Sequence, residues 1–185
     1  MVFPTLETER LLLTELCVDD EADLFRLFSH PSVVEYYDLD VFHEHSQAAN
    51  LISLFKARYE QQQGIRWAIR LSSSGKLIGT CGFNSWSSKM RNAVIGYDLL
   101  PGFWRQGYCS EAVRAIIAAG FTGSMPCGEL HRIQADTVPG NSASESLLLK
   151  LGFKEEGIRR QCGYWKNRFH DLKCFGLLRS EFSAT

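Results

Sequence analysis

Three apolar runs follow one another in the middle of the chain, Trp67 to Leu71, Lys76 to Phe83 and Ala93 to Leu99. They are parted by the turn Ser72-Ser73-Ser74-Gly75 and by a polar loop from Asn84 to Asn92. Short apolar runs bounded by turn residues predict strands, here an antiparallel meander whose first two members form a hairpin. The order then changes to a helix over Ser110 to Phe121, a strand over Arg132 to Val138, a helix over Ser142 to Leu151, a strand over Phe153 to Ile158 and a last strand over Asp171 to Leu178. A strand-helix-strand unit asks for a right-handed crossover and parallel pairing. A sheet that is antiparallel on one side and parallel at one joint leaves room for a ligand beyond the carboxyl end of the 93–99 strand.

Upstream, Arg10 to Leu16 reads as a strand. Asp19, Asp20 and Glu21 place acid in the first turn of a helix with the apolar stripe Leu24, Phe25, Leu27 and Phe28, which stops near His30-Pro31. Ser46 is the expected cap of a long helix carrying Leu51, Ile52, Leu54, Phe55 and Tyr59 up to about Gln62. No repeat or linker divides the 185 residues, so residues 1–185 are expected to form one domain. The class is α+β, with a mixed, mostly antiparallel central sheet of about seven strands flanked by helices.

Composition narrows the function. With 45% hydrophobic and 22% charged residues the chain has ordinary globular proportions, and a net charge of −1 argues against a nucleic-acid binder. No apolar stretch approaches a membrane span and no leader pattern is seen, so a cytoplasmic protein without membrane contact is expected. Six cysteines contain no C-x-x-C pair, which argues against a metal site and for reduced thiols. Residues 1–60 hold 12 acidic side chains against 4 basic, and residues 61–185 hold 9 against 16. Such a division suits a site that joins a cationic ligand to an anionic one, unless the fold interleaves the charges.

The segment Pro101-Gly102-Phe103-Trp104-Arg105-Gln106-Gly107-Tyr108-Cys109-Ser110-Glu111-Ala112 links a strand to a helix. Unpaired N–H groups at the positive end of a helix dipole attract phosphate, and Arg105 adds a formal charge. On the residues alone Gly107 equally serves a turn. The spacing is neither G-x-x-x-x-G-K-[ST] nor G-x-G-x-x-G.

That segment, with Asn141 to Phe153, Thr8-Glu9-Arg10-Leu11, Ile78-Gly79, Gly82-Phe83, Ile95-Gly96-Tyr97, Gly163-Tyr164-Trp165 and Asp171, resembles the GNAT superfamily of acetyl-CoA-dependent N-acetyltransferases over nearly the whole chain. Within it the chain looks most like the RimJ/RimL branch, which acetylates N-terminal amines of ribosomal proteins. The resemblance implies a sheet splayed at the acetyl-CoA site and acetyl-CoA as cosubstrate without a metal. It implies an amine acceptor, either a protein N-terminus or a small amine, and is compatible with a homodimer. Main-chain groups of Tyr97 and Leu99 are expected along the pantetheine arm, and the amides of Trp104, Arg105, Gln106, Gly107, Tyr108, Cys109 and Ser110 around the pyrophosphate. Asn141, Ser144 and Lys150 complete the cofactor set. The chain departs from the superfamily at Trp104, which is usual in this branch, at Cys109, where Gly or Ala is typical, and at Leu148, where many relatives carry a tyrosine general acid.

Acetyl transfer needs a neutral amine, a positioned thioester and a proton for the leaving thiolate. Ser144 shares a helix face with Leu147, Leu148 and Leu151, so its hydroxyl points inward. It either bonds its own helix carbonyl or, as the resemblance implies, stands beside the CoA sulfur. Asn141 is a helix cap that in the family also contacts the CoA arm. The resemblance implies Asp136 as the catalytic carboxylate, since it lies five residues before Asn141, where some N-terminal acetyltransferases carry a catalytic glutamate; a solvated or ion-paired aspartate is the alternative, and Asp98, Glu35 and a water chain are other candidates for the base. Cys109 at a helix start raises a covalent acetyl-cysteine route. Glu35, Tyr36, Trp86 and Asp98 are the expected acceptor contacts, with Tyr37 and Trp165 as further aromatic candidates. From a different class, a CoA-binding module without catalysis would bind CoA yet release no thiol over any amine.

Overall fold

The computed structural model describes residues 2–183. In chain order the elements are β1 (Leu6–Glu7), β2 (Leu11–Glu15), α1 (Glu21–Phe28), α2 (Pro31–Val34), α3 (His45–Glu60), β3 (Ile65–Leu71), β4 (Leu77–Ser87) and β5 (Asn92–Leu99). They continue with α4 (Tyr108–Thr122), β6 (Arg132–Thr137), α5 (Ser142–Lys150), β7 (Lys154–Trp165) and β8 (Arg168–Leu178). All eight strands join one sheet in the order β1-β2-β3-β4-β5-β6-β8-β7. The expected mixed α+β sheet is present, and its extra strand is the two-residue β1 paired with β2.

The β2 to β5 strands form the antiparallel meander. The α4 crossover then brings β6 parallel to β5, but only Asn92 to Val94 pair with Arg132 to Gln134. From Ile95 onward β5 has no partner on that side, which is the splay. The Leu100 N–H donates to the Ile78 carbonyl, so Leu100, Asp98 and Gly96 turn their main-chain groups toward β4. Alternation leaves those of Ile95, Tyr97 and Leu99 facing the split.

Two apolar clusters hold the layers together. One packs α4 and α5 against the sheet around Trp67, Phe83, Ile116, Leu148 and Phe175; the other packs α1, α2 and α3 on the opposite face around Leu24, Phe28, Ala48 and Ala68. Each large side chain that is fully buried contributes about 1.5–3 kcal/mol. Gly96 shows how tightly the second face is filled, since a Cβ there would stand 2.6 Å from Asn84 Nδ2 and 2.9 Å from Arg66 Nη1.

Several expectations change. The polar stretch from Asn84 is a loop only over residues 88–91: β4 continues to Ser87 across an irregularity between Phe83 and Ser85, and Asn84 accepts from Arg66 Nη1 at 3.0 Å. A new short helix starts at Pro31, where the fixed φ of proline suits a first turn. The cap of α3 is Glu44 and not Ser46, with Gln47 Oε1 accepting from the Glu44 amide at 3.0 Å. The last two strands are much longer than predicted and form a hairpin turned by Lys166 and Asn167, both with positive φ. Because β7 is an edge strand with nearly all of its side chains exposed, it carries no alternation of apolar and polar residues to be read. Among the described residues no helix is long and apolar enough to cross a membrane.

Candidate active site

The α4 start is shaped by two left-handed residues, Arg105 (φ 59°) and Gly107 (φ 83°). The first intrahelical bond runs from the Glu111 amide to the Gly107 carbonyl, which leaves the amides of Tyr108, Cys109 and Ser110 without helical partners. The loop is clamped from outside. Arg10 Nη1 donates to the Gln106 carbonyl at 3.0 Å, and Arg10 Nε donates to Glu111 Oε2 at 2.7 Å. Glu111 Oε1 also accepts from the Thr8 hydroxyl at 2.6 Å and the Arg10 amide at 2.8 Å. The Arg10 guanidinium lies 4.3 Å from the Tyr108 ring centre. With the Gln106 carbonyl drawn toward Arg10, the neighbouring N–H groups form a concavity suited to an anion. The Gln106 side chain is spent on the Gly102 carbonyl at 2.8 Å, so it stiffens the loop. Trp104, half-exposed, donates its indole N–H to the Leu99 carbonyl at 2.7 Å and ties the loop to the strand end.

Across the split, Asn141 caps α5 by accepting from the Ser144 amide at 3.3 Å. The Ser144 hydroxyl is 2.7 Å from the Tyr97 hydroxyl. Burial pushes the Tyr97 hydroxyl well above its ordinary pKa, with the nearby Cys109 thiol adding to the shift and Ser144 opposing it. Tyr97 therefore keeps its proton at neutral pH. Its side chain was not read from the sequence as functional, although its register with Ile95 and Leu99 on β5 put it on the same face as α5. Burial likewise pushes the Cys109 thiol up to about 12, so it is a thiol and not a thiolate near pH 7.

The other expected residues divide. Asp136 on β6 is in an ion pair with Arg159 Nη2 at 2.5 Å. Asp98 is a buried structural ion with Arg66 and not an open acceptor contact; it also accepts from the Thr80 amide at 3.1 Å and from the Thr80 hydroxyl. Burial pushes the Asp98 carboxyl up while Arg66 and Thr80 oppose that shift. Trp86 pairs with Ala93, in the stretch where β5 is still paired with β6 and two residues before the split begins at Ile95. Glu35 and Tyr36 follow α2 and are exposed, with the Tyr36 hydroxyl donating to the Gly140 carbonyl at 3.3 Å. Tyr37 is anchored on the Arg66–Asp98 pair. Trp165 stacks on His170 with ring centres 4.0 Å apart, and Lys150 is exposed at the last position of α5. Among the described residues no group of three metal-ligating side chains occurs.

A sheet split beside a helix-start anion cradle, with two hydroxyls facing the gap, is the architecture of an acyl-CoA-using transferase. Residues 10–154 match the model of the acetyltransferase (GNAT) domain, and the chain belongs to that family. It is 37% identical over 178 residues to the uncharacterized N-acetyltransferase YoaA of Bacillus subtilis, covering 96% of this chain and 98% of that one. It is 36% identical to the uncharacterized N-acetyltransferase p20 of Bacillus licheniformis, covering 97% and 99%. In structure it resembles a GNAT-family acetyltransferase from Bacillus anthracis, with a TM-score of 0.83, 24% identity and coverage of 96% and 100%. The apo form of RimL, a ribosomal L7/L12 α-N-protein acetyltransferase, superposes with a TM-score of 0.84 at 16% identity, covering 96% of each chain.

Proposed function

We propose that this chain transfers an acetyl group from acetyl-CoA to a primary amine by direct attack in a ternary complex, with a protein N-terminal α-amine as the acceptor. The observation that carries the reading is the Tyr97–Ser144 hydroxyl pair at the unpaired edge of β5. The pyrophosphate of acetyl-CoA would rest on the amides from Arg105 to Ser110, and the pantetheine arm would run along the main chain of Tyr97 and the Leu99 amide, the Leu99 carbonyl being taken by the Trp104 indole. The neutral amine attacks the thioester carbonyl, and a β5 amide is suited to polarise the developing oxyanion. As the tetrahedral adduct collapses, the C–S bond breaks and the CoA thiolate takes the Ser144 proton while the Tyr97 hydroxyl holds Ser144 in place; the proton lost by the acceptor nitrogen is returned to Ser144 through water, so that one amine proton ends on the thiol. Asn141 holds Ser144 by capping its helix. The ammonium proton released by the acceptor goes to water or to a carboxylate, for which Asp136 is the candidate once Arg159 moves from it. A ribosomal-protein-serine acetyltransferase of Escherichia coli is 27% identical over 114 residues, 62% of each chain, which favours a protein acceptor.

A small-molecule amine is the second reading. Titration with acetyl-CoA, CoA and ATP, followed by thiol release over peptides with free N-termini, aminoglycosides and polyamines, tests both. Micromolar binding of the two CoA forms without ATP, and turnover on peptides, is expected. CoA binding with background thiol release over every amine would leave a binding module instead.

A further inference from the structure

Thr137, the last residue of β6, carries a hydroxyl that the fold does not use. The residue is 5% exposed, and among the described residues its Oγ1 has no hydrogen-bond partner. A buried hydroxyl left unpaired is costly and calls for a reason. Lys173, its cross-strand partner on β8, spends its ammonium elsewhere, on Glu145 Oε2 at 2.9 Å.

The register of the two strands says where this hydroxyl lies. Before they part, β5 and β6 pair as Asn92 with Arg132, Ala93 with Ile133 and Val94 with Gln134. Carried three residues further, the same register brings Thr137 level with Tyr97 across the split. Ile133 and Ala135 belong to the core under α4 and α5, so alternation puts the Thr137 side chain on that face, and Lys173 beside it reaches Glu145 of α5. Tyr97 turns the same way, since its hydroxyl meets that of Ser144 at 2.7 Å. One edge of the split thus holds the Tyr97–Ser144 pair, and the facing edge holds a third hydroxyl at the same level.

We infer that Thr137 is a further catalytic residue, donating a hydrogen bond to the CoA sulfur from the edge of the split opposite Tyr97 and Ser144. This rests on the acetyltransferase reading. Thr137 keeps its proton throughout: when the C–S bond breaks, its electron pair goes to sulfur, Ser144 supplies the proton, and the Thr137 hydrogen bond steadies the negative charge in the interval. A hydrogen bond to an anion is stronger than one to a neutral group, so this bond tightens as the thiolate forms. A hydroxyl unpaired in the free protein and paired only on the cofactor trades stability for function. The titratable groups around it are Tyr97 of β5, Cys109 of α4, Glu145 of α5, Lys173 of β8 and Glu155 of β7, 3.7 Å from Lys173. Tyr97, Cys109 and Lys173 lose their protons only above the ordinary thiol range, which leaves the CoA thiol as the group to titrate there.

The test sets Thr137→Val, which keeps the shape and removes the hydroxyl, beside Thr137→Ser, which keeps the donor. Three quantities are measured: the Tm of the free protein, kcat with acetyl-CoA and an alanine-initiated hexapeptide, and the pH midpoint at which the thiol of bound CoA ionises, followed by its thiolate absorbance. Thr137→Val is expected to melt no lower than wild type, since a buried unpaired hydroxyl is replaced by a methyl group. Its kcat is expected to fall about tenfold with CoA Kd within about threefold of wild type, and the thiol midpoint to rise by about one pH unit, as the loss of one hydrogen bond to an anion predicts. Thr137→Ser is expected to stay near wild type in both. A lower Tm in Thr137→Val with an unmoved midpoint would mean that the hydroxyl serves the fold, through a water shared with the unpaired Glu145 Oε1, and overturns the inference. An unmoved midpoint with full kcat overturns it as well. A wild type that binds CoA but acetylates no amine defeats the acetyltransferase reading alone, and the midpoint still decides the role of Thr137; a wild type that binds no CoA defeats both.

Discussion

The hydroxyls of Tyr97 on β5 and Ser144 on α5 meet at 2.7 Å, across the line where the two strands β5 and β6 part. Neither element alone would place a proton donor there. The partnership joins the two halves of the sheet at the point where the thioester is proposed to sit.

Ser144→Ala is expected to lower kcat at least tenfold with little change in CoA affinity, and Tyr97→Phe to lower it about threefold to tenfold, since a tenfold effect corresponds to about 1.4 kcal/mol. Because one residue acts through the other, the double variant should be little slower than Ser144→Ala. Steady-state kinetics with separate CoA titrations decides this; full activity in Ser144→Ala would remove the serine from the mechanism.

Gly107→Val should weaken CoA binding at least tenfold. Gly107 has φ 83°, a Cβ there would stand 3.2 Å from Arg10 Nη2, and a left-handed backbone costs an ordinary residue about 1–2 kcal/mol. Calorimetry on folded protein checks it, with Gly107→Ala expected to fall between the two.

Stability in acid should depend on Glu111. Burial alone would raise its carboxyl, but the Thr8 hydroxyl and the Arg10 amide and guanidinium hold it below the usual glutamate range. A depressed folded value adds stability that is complete above the unfolded pKa of about 4.3 and is lost as pH falls through the folded value. As pH falls below the unfolded value of about 4.3 and on through the lower folded one, wild type should lose Tm more steeply than Glu111→Gln. Parallel melting curves of the two proteins would show the opposite.

Asp98→Ala should be strongly destabilising, since Arg66 would remain as an unpaired charge whose side chain is 2% exposed. Breaking such a pair costs about 3–5 kcal/mol, on the order of 10 °C in Tm for a chain of this size. Asp98→Ala/Arg66→Met should recover part of the loss, and scanning calorimetry of both variants distinguishes an ion pair from mere packing.

Mass spectra of protein quenched during turnover should contain no acetyl adduct on Cys109. Its thiol, pushed up to about 12 by burial, holds its proton near pH 7 and is a poor nucleophile. A stoichiometric adduct would restore the covalent route.

Local pattern was enough to foresee the meander, the parallel crossover, the α4 helix to within two residues of its start and the inward face of Ser144, because each depends on neighbours within a few residues and on the alternation or helical spacing they impose. It was enough, too, for the resemblance carried by Thr8-Glu9-Arg10 and Gly107, though not for its reason: Arg10 and Glu111 are far apart in sequence and meet only when β2 lies beside α4. The same distance hid the roles of the site carboxylates. Asp98 looked available on its strand, yet it faces Arg66 from β3, and Asp136 faces Arg159 from β7. The edge strand β7, exposed nearly throughout, had no alternation to reveal its length. Sequence determines where the chain turns and which side of each element is apolar. Which charges meet, and which hydroxyls face a ligand, is decided by the packing of elements remote in sequence, since burial and pairing are properties of the assembled sheet and not of any segment in it.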